Sequence, residues 1–170
     1  RITKPEFNLR EKLTELDYSR VPFKKMPASS IIQTKYYQTD TLATSNNASS
    51  YVSIGLYVNI TPLIVGSTLE VSACIPNYSN DTGAGVWSNS VYIALYHTSP
   101  DNQTERRIAA FEHPGPRTSM EFSQILNPVY YMTANSAGEY LFNWRVKLTA
   151  TGDTHYFGRD VDGGTTFMNT

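Results

Sequence analysis

The chain has 170 residues, enough for one ordinary domain whose core needs neither disulfides nor a metal, and its lone Cys74 excludes an intrachain bridge. Fourteen Lys and Arg stand against 15 Asp and Glu, a formal charge of -1 that excludes a general electrostatic attraction to nucleic acid or to an anionic membrane. Only 17% of residues are charged, while Ser, Thr, Asn and 12 Tyr are plentiful, which is the balance of strand-and-turn proteins. Tyrosine suits half-buried strand faces and interfaces, because its ring buries area while its hydroxyl keeps a polar contact. No stretch approaches the roughly 18 apolar residues of a membrane span, and no signal peptide is visible at residue 1.

In chain order, Arg1 to Leu16 reads as a short α-helix. Thr3-Lys4-Pro5-Glu6 has the form of a capping box: the Thr3 hydroxyl and Glu6 carboxylate can each satisfy a free N–H of the first turn, and Pro5 removes no needed donor. Leu9, Leu13 and Leu16 then fall at i, i+4 and i+7 as one apolar stripe, with Arg10, Glu11, Lys12 and Glu15 on the remaining surface. A helix of roughly 14 residues is marginal alone in water, so the stripe docks on its own domain or meets copies of itself around an axis. Val21-Pro22-Phe23 and Met26-Pro27 are extended and rigid, a tether that would hold the helix away from the β domain and favours self-association. Residues 1–28 are therefore expected to oligomerise or anchor, and residues 29–170 to form the folded domain.

From Ser30 the pattern changes to strands parted by turn-forming clusters. The first strand is expected over Ile31 to Thr39, then a polar loop through Asn46 and Asn47. Tyr51 to Thr61 comes next, where Val52, Ile54, Leu56, Val58 and Ile60 alternate with Ser53, Gly55, Tyr57 and Asn59. Beyond Pro62 and Gly66, Ser67 to Ile75 makes another strand, and Asn77 to Ser90 reads as a long polar loop carrying Trp87. Val91 to Thr98 and Arg106 to His113 form a hairpin across Ser99-Pro100-Asp101-Asn102-Gln103. Further strands are expected at Ser119 to Ile125, Val129 to Thr133, Gly138 to Thr149, Thr154 to Arg159 and Thr165 to Asn169. The last reads as an incomplete edge, completed by residues beyond Thr170 or by a partner chain. About eight or nine antiparallel strands and no alternating helix signal predict an all-β, jelly-roll-like antiparallel β-sandwich with a short N-terminal α-helix.

The order of several motifs resembles a family of tailed-bacteriophage virion proteins, common in marine phages and cyanophages, with a jelly-roll domain. Pro27-Ala28-Ser29-Ser30-Ile31-Ile32-Gln33 is similar to the Gly-Ser-Val-Ile-Gln opening strand of those proteins, and the alternating strand closes on Ile60-Thr61-Pro62. Glu112-His113-Pro114-Gly115 resembles their Asp-Ser-Pro-Gly turn. Tyr140-Leu141-Phe142-Asn143-Trp144-Arg145-Val146 and Thr154-His155-Tyr156-Phe157-Gly158-Arg159 resemble their penultimate strands. The first loop has less glycine than usual, and a final strand with an apolar-acidic ending is missing. The resemblance implies a structural fibre, spike or decoration of a particle, located in the virion, with no catalytic motif to carry over.

No enzymatic chemistry is suggested by spacing. His97, His113 and His155 lie far apart, and there is no GxSxG elbow, P-loop or GxGxxG. Asp160-Val161-Asp162-Gly163-Gly164 resembles half of a calcium loop but lacks the later bidentate Glu, so Asp160 and Asp162 are weak metal candidates beside the plainer reading of a hairpin turn. No cofactor is expected. Five sequons, at Asn47, Asn59, Asn77, Asn80 and Asn102, are read as compositional, since Asn59 lies within the strongest strand. If the head recognises a host polysaccharide, Trp87, Tyr78, Tyr36 and Tyr37 are the candidate ring contacts, with core or interface packing as the alternative. The function expected is that of a trimeric virion component, fibre or capsid decoration, bound to itself and to capsid or tail proteins. A receptor-binding, lectin-like head is the competing reading.

Overall fold

In a computed structural model the described residues are 30–39, 43–46, 49–80, 90–114, 122–149 and 154–158. The chain divides into two compact units, Arg1–Thr34 and Lys35–Thr170, each taken by itself. Of the first, only 30–34 are described, and they form no regular element. The expected helix with Leu9, Leu13 and Leu16 and most of its tether lie outside the described residues.

The second unit is all-β among its described residues. Its strands are β1 (Ala43–Ser45), β2 (Val52–Ile60), β3 (Thr68–Ser72), β4 (Ile75–Asn80), β5 (Val91–Ser99), β6 (Asn102–His113), β7 (Phe122–Leu126), β8 (Val129–Thr133), β9 (Tyr140–Leu148) and β10 (Thr154–Phe157). All pairs are antiparallel and nested about the β5–β6 hairpin: β4 pairs with β7, β3 with β8, β2 with β9 and β1 with β10. The chain is thus one long antiparallel ribbon folded back at Pro100-Asp101. Rolling the ribbon brings β10 against β4 and β9 against β5, giving sheets ordered β1-β10-β4-β7 and β2-β9-β5-β6. That order is a jelly roll, two Greek keys that leave only short or protected edges.

β3 and β4 are one strand broken at Ala73-Cys74, and β7 and β8 one strand broken at Asn127-Pro128. A bond from Ala73 N to Pro128 O, 3.1 Å, carries the pairing across both breaks. Counted as continuous, the ten segments make eight strands.

Period-two alternation places the core. In β9, Tyr140, Phe142, Trp144, Val146 and Leu148 are buried while Leu141 is exposed and Asn143, Arg145 and Lys147 are partly so. Val91, Ile93 and Leu95 of β5 join them, with Leu69, Val71, Ile75, Leu126 and Phe157 from the other strands. Each such side chain contributes about 1.5–3 kcal/mol when fully buried. In β2 the register steps from Ser53↔Arg145 to Leu56↔Trp144, so two residues are inserted. An even insertion preserves which side chains face inward: Ile54 stays buried, and Gly55 takes the left-handed φ of +76° that the bulge requires.

The sequence expectations for β2, β5, β8, β9 and β10 agree with these strands to within a few residues. Three differ. Residues 31–39 form no strand, because Gln33 to Thr39 offers no inward apolar alternation and Tyr36 is 88% exposed. The strand that does open the sheet, β1, is three residues long and lies where a polar loop was expected. β4 runs to Asn80, through residues expected to be loop: Asn77 is wholly buried, because a polar inward side chain is held there by another polar group rather than by water. The strand expected at Thr165 to Asn169 lies outside the described residues.

Candidate ligand-binding face

The outer surface of the β2-β9-β5-β6 sheet carries an interleaved set of tyrosines and cations. Inward apolar residues determine it: because Ile93, Leu95, Trp144 and Val146 face the core, Tyr92, Tyr96, Arg145 and Lys147 must face out. Ala94 and Ala110, paired across β5 and β6, form a low point on this face. Ala94 is nevertheless fully buried, and larger neighbours stand around it. The Tyr51 ring lies edge-on to Tyr96, centroids 6.1 Å apart.

Cations stand over these rings. Lys147 Nζ lies 5.6 Å from the Tyr51 centroid and 5.2 Å from that of Tyr92. Arg107 Cζ is 5.2 Å from Tyr51, and Arg145 Cζ is 4.5 Å from Tyr96. Each contact contributes about 0.5–1 kcal/mol at an exposed position. Arg145 also forms an ion pair with Glu105, which accepts a 3.2 Å bond from Asn143 Nδ2. Ser53 Oγ donates to Asn143 Oδ1 at 3.0 Å, continuing the polar row onto β2.

At the β2 side, Tyr37 stacks on Tyr57 with centroids 4.5 Å apart and an interplanar angle of 27°. A hydrogen bond to Tyr37, reinforced by its nearby charge, pushes the Tyr57 phenol above its ordinary pKa. Tyr57 pairs in register with Asn143, so the stack adjoins the polar row.

No protein-family model matches this chain, and no curated protein matches it. The geometry of the face itself therefore decides what it can bind.

Of the four ring residues expected from sequence, Tyr37 belongs to this face and is partly exposed, and Tyr36 is its highly exposed neighbour. Tyr78 lies in β4, on the other sheet, with its side chain outside the described set, and Trp87 is outside the described residues. The expected quartet is thus not brought together among the described residues. Sequence reasoning missed Tyr51, Tyr57, Tyr92, Tyr96, Arg107 and Lys147. A usable signal was present: Tyr92 and Tyr96 share strand parity, and Asn143, Arg145 and Lys147 alternate with Phe142, Trp144 and Val146.

Two of the three histidines, His97 and His155, are buried. His155 is buried with its Nδ1 3.1 Å from Asn77 Oδ1, and burial pushes its pKa down to about 4. His97 is buried beside Phe142, accepts a 3.0 Å bond from Arg106 Nε at its Nε2, and is held below the usual histidine range by desolvation and then by Arg106. That bond fixes the neutral tautomer with the proton on Nδ1, which is buried and has no hydrogen-bond partner among the described residues. Among the described residues no three His, Cys, Asp or Glu lie together as a metal site, and Asp160 and Asp162 lie outside that set. No helix among the described residues is long and apolar enough to cross a membrane.

Proposed function

We propose that this chain is a non-enzymatic building block of a tailed-bacteriophage particle, a jelly-roll head with a self-associating N-terminal segment, assembled as a trimeric fibre or capsid decoration. One observation carries the reading: the strand order β1-β10-β4-β7 and β2-β9-β5-β6, an architecture shared by viral capsid and lectin domains. Fold alone supports many functions, and the motif order from Pro27 to Arg159 narrows them toward virion proteins. Partners on this reading are other copies of the chain and a capsid or tail protein.

The test is the composition and density map of particles purified from the phage that encodes the chain. The expected result is the chain present in multiples of three, with the jelly roll fitting density on the particle exterior. Particles that lack it would overturn the proposal.

The stacked Tyr37 and Tyr57 favour a second reading, in which the head contacts host-surface glycans. Partly exposed rings beside amide and hydroxyl groups suit the apolar and polar faces of a sugar. Binding of the intact protein to a panel of bacterial surface polysaccharides, weakened by Tyr57→Ser, would support it. A profile that Tyr57→Ser leaves unchanged would remove this stack from the site.

A further inference from the structure

The geometry points to a ligand class for this face: we infer that the Tyr51-Tyr92-Tyr96 platform binds an acidic polysaccharide through Arg107 and Lys147. The inference rests on the glycan-contact reading above and adds the charge of the ligand.

Three observations carry it. First, the cations are unequal. Arg145 is neutralised by Glu105, whereas Arg107 and Lys147 have no carboxylate partner among the described residues. Their contacts are to ring faces, which consume none of the five guanidinium or three ammonium N–H donors. An incoming carboxylate would break no ion pair within the described sheet. Second, the two cations are already placed. Both stand over the single Tyr51 ring, and Lys147 is held between Tyr51 and Tyr92, so less side-chain freedom is lost on binding than for free surface lysines. Glu112 pairs in register with Tyr92, as Lys147 does from the other side, yet forms no ion pair with Lys147.

Third, the surroundings suit a sugar chain better than an acidic peptide. Both cations stand over Tyr51, just before β2, and from there the face runs along β2 and β9 past Ser53 and Asn143 to the Tyr37-Tyr57 stack, roughly 13 Å for the four residues from Lys147 to Asn143. A uronate-bearing oligosaccharide would place carboxylates on Arg107 and Lys147, hydroxyls on the polar row and a sugar face on the exposed rings.

Calorimetry on the intact protein at low salt would use polygalacturonate, neutral dextran and polyglutamate. The expected result is polygalacturonate binding at least tenfold tighter than dextran or polyglutamate, falling at least tenfold in R107Q/K147Q while the thermal transition is retained. Should the double variant lose the fold, K147Q and R107Q singly would each lower the affinity, as would added salt. Polygalacturonate binding unchanged by the double variant, or polyglutamate bound equally well, would overturn the inference. Dextran and polygalacturonate bound alike would overturn the acidic class and leave the glycan reading standing. No binding to either would remove both.

Discussion

The two sheets come from the same rolled ribbon yet are built differently. In β2-β9-β5-β6 the strands run nine to twelve residues, and the inner residues of β9 are all apolar. In β1-β10-β4-β7 they run three to six. Pro76 sits just past the last β10 pair, Pro128 breaks the edge strand, and Asn77 and His155 occupy the inner face. Asn77 Nδ2 and Gln124 Nε2 are buried without hydrogen-bond partners among the described residues, at a cost of about 1–3 kcal/mol each. An inner face that is apolar throughout β9 accompanies the long sheet. Polar inward residues, Asn77 and His155, accompany the short sheet, and His97 on the inner face of β5 is the long sheet's exception.

The comparison is most severely strained by truncating the long sheet. Trp144 is 3% exposed, packed on Phe111, so Trp144→Ala should destabilise the fold by about 3–5 kcal/mol, read from denaturant midpoints. A loss below about 1 kcal/mol would mean this sheet does not dominate the core.

The short sheet should instead show itself through pH. His155 stays neutral in the folded chain down to about pH 4, whereas an unfolded histidine titrates near 6.5, so between these values the unfolded state binds more protons. Its contribution is complete above pH 6.5, falls as pH drops toward 4, and amounts to about 3 kcal/mol at most. His155→Leu should flatten that slope in urea titrations across the window. An unaltered slope would place acid sensitivity elsewhere.

Smaller effects sharpen the contrast between ends and faces. Gly138 has φ of +122°, and a Cβ there would lie 2.9 Å from Pro100 Cγ, so Gly138→Ala should cost roughly 1–3 kcal/mol by thermal unfolding. Glu105→Gln, which breaks a partly exposed ion pair on the outer face, should cost below about 1 kcal/mol and shrink further in high salt.

The fold was legible where one face is apolar. Val52 to Ile60 and Tyr140 to Leu148 alternate so regularly that their burial follows from the sequence. Strands that depend on partners were not: β1 has only Ala43, Thr44 and Ser45, and exists through its pairing with β10. β4 contains Pro76 and Asn77, residues that signal loop unless a polar side chain of the neighbouring strand, here His155, reaches the buried amide. The ligand face was half legible. Tyr37 is marked by its ring, but Tyr51, Arg107 and Lys147 are far apart in sequence and meet only because the sheet order β2-β9-β5-β6 brings the start of β2, β9 and β6 onto one face.

Assembly is the central claim, and light scattering on the intact chain at micromolar concentration tests it most directly. The account predicts a single species at three times the 19.1 kDa of one chain, dissociating when Leu9, Leu13 and Leu16 are replaced by polar residues while the β signal is kept. A folded chain that scatters as a 19.1 kDa monomer would contradict it.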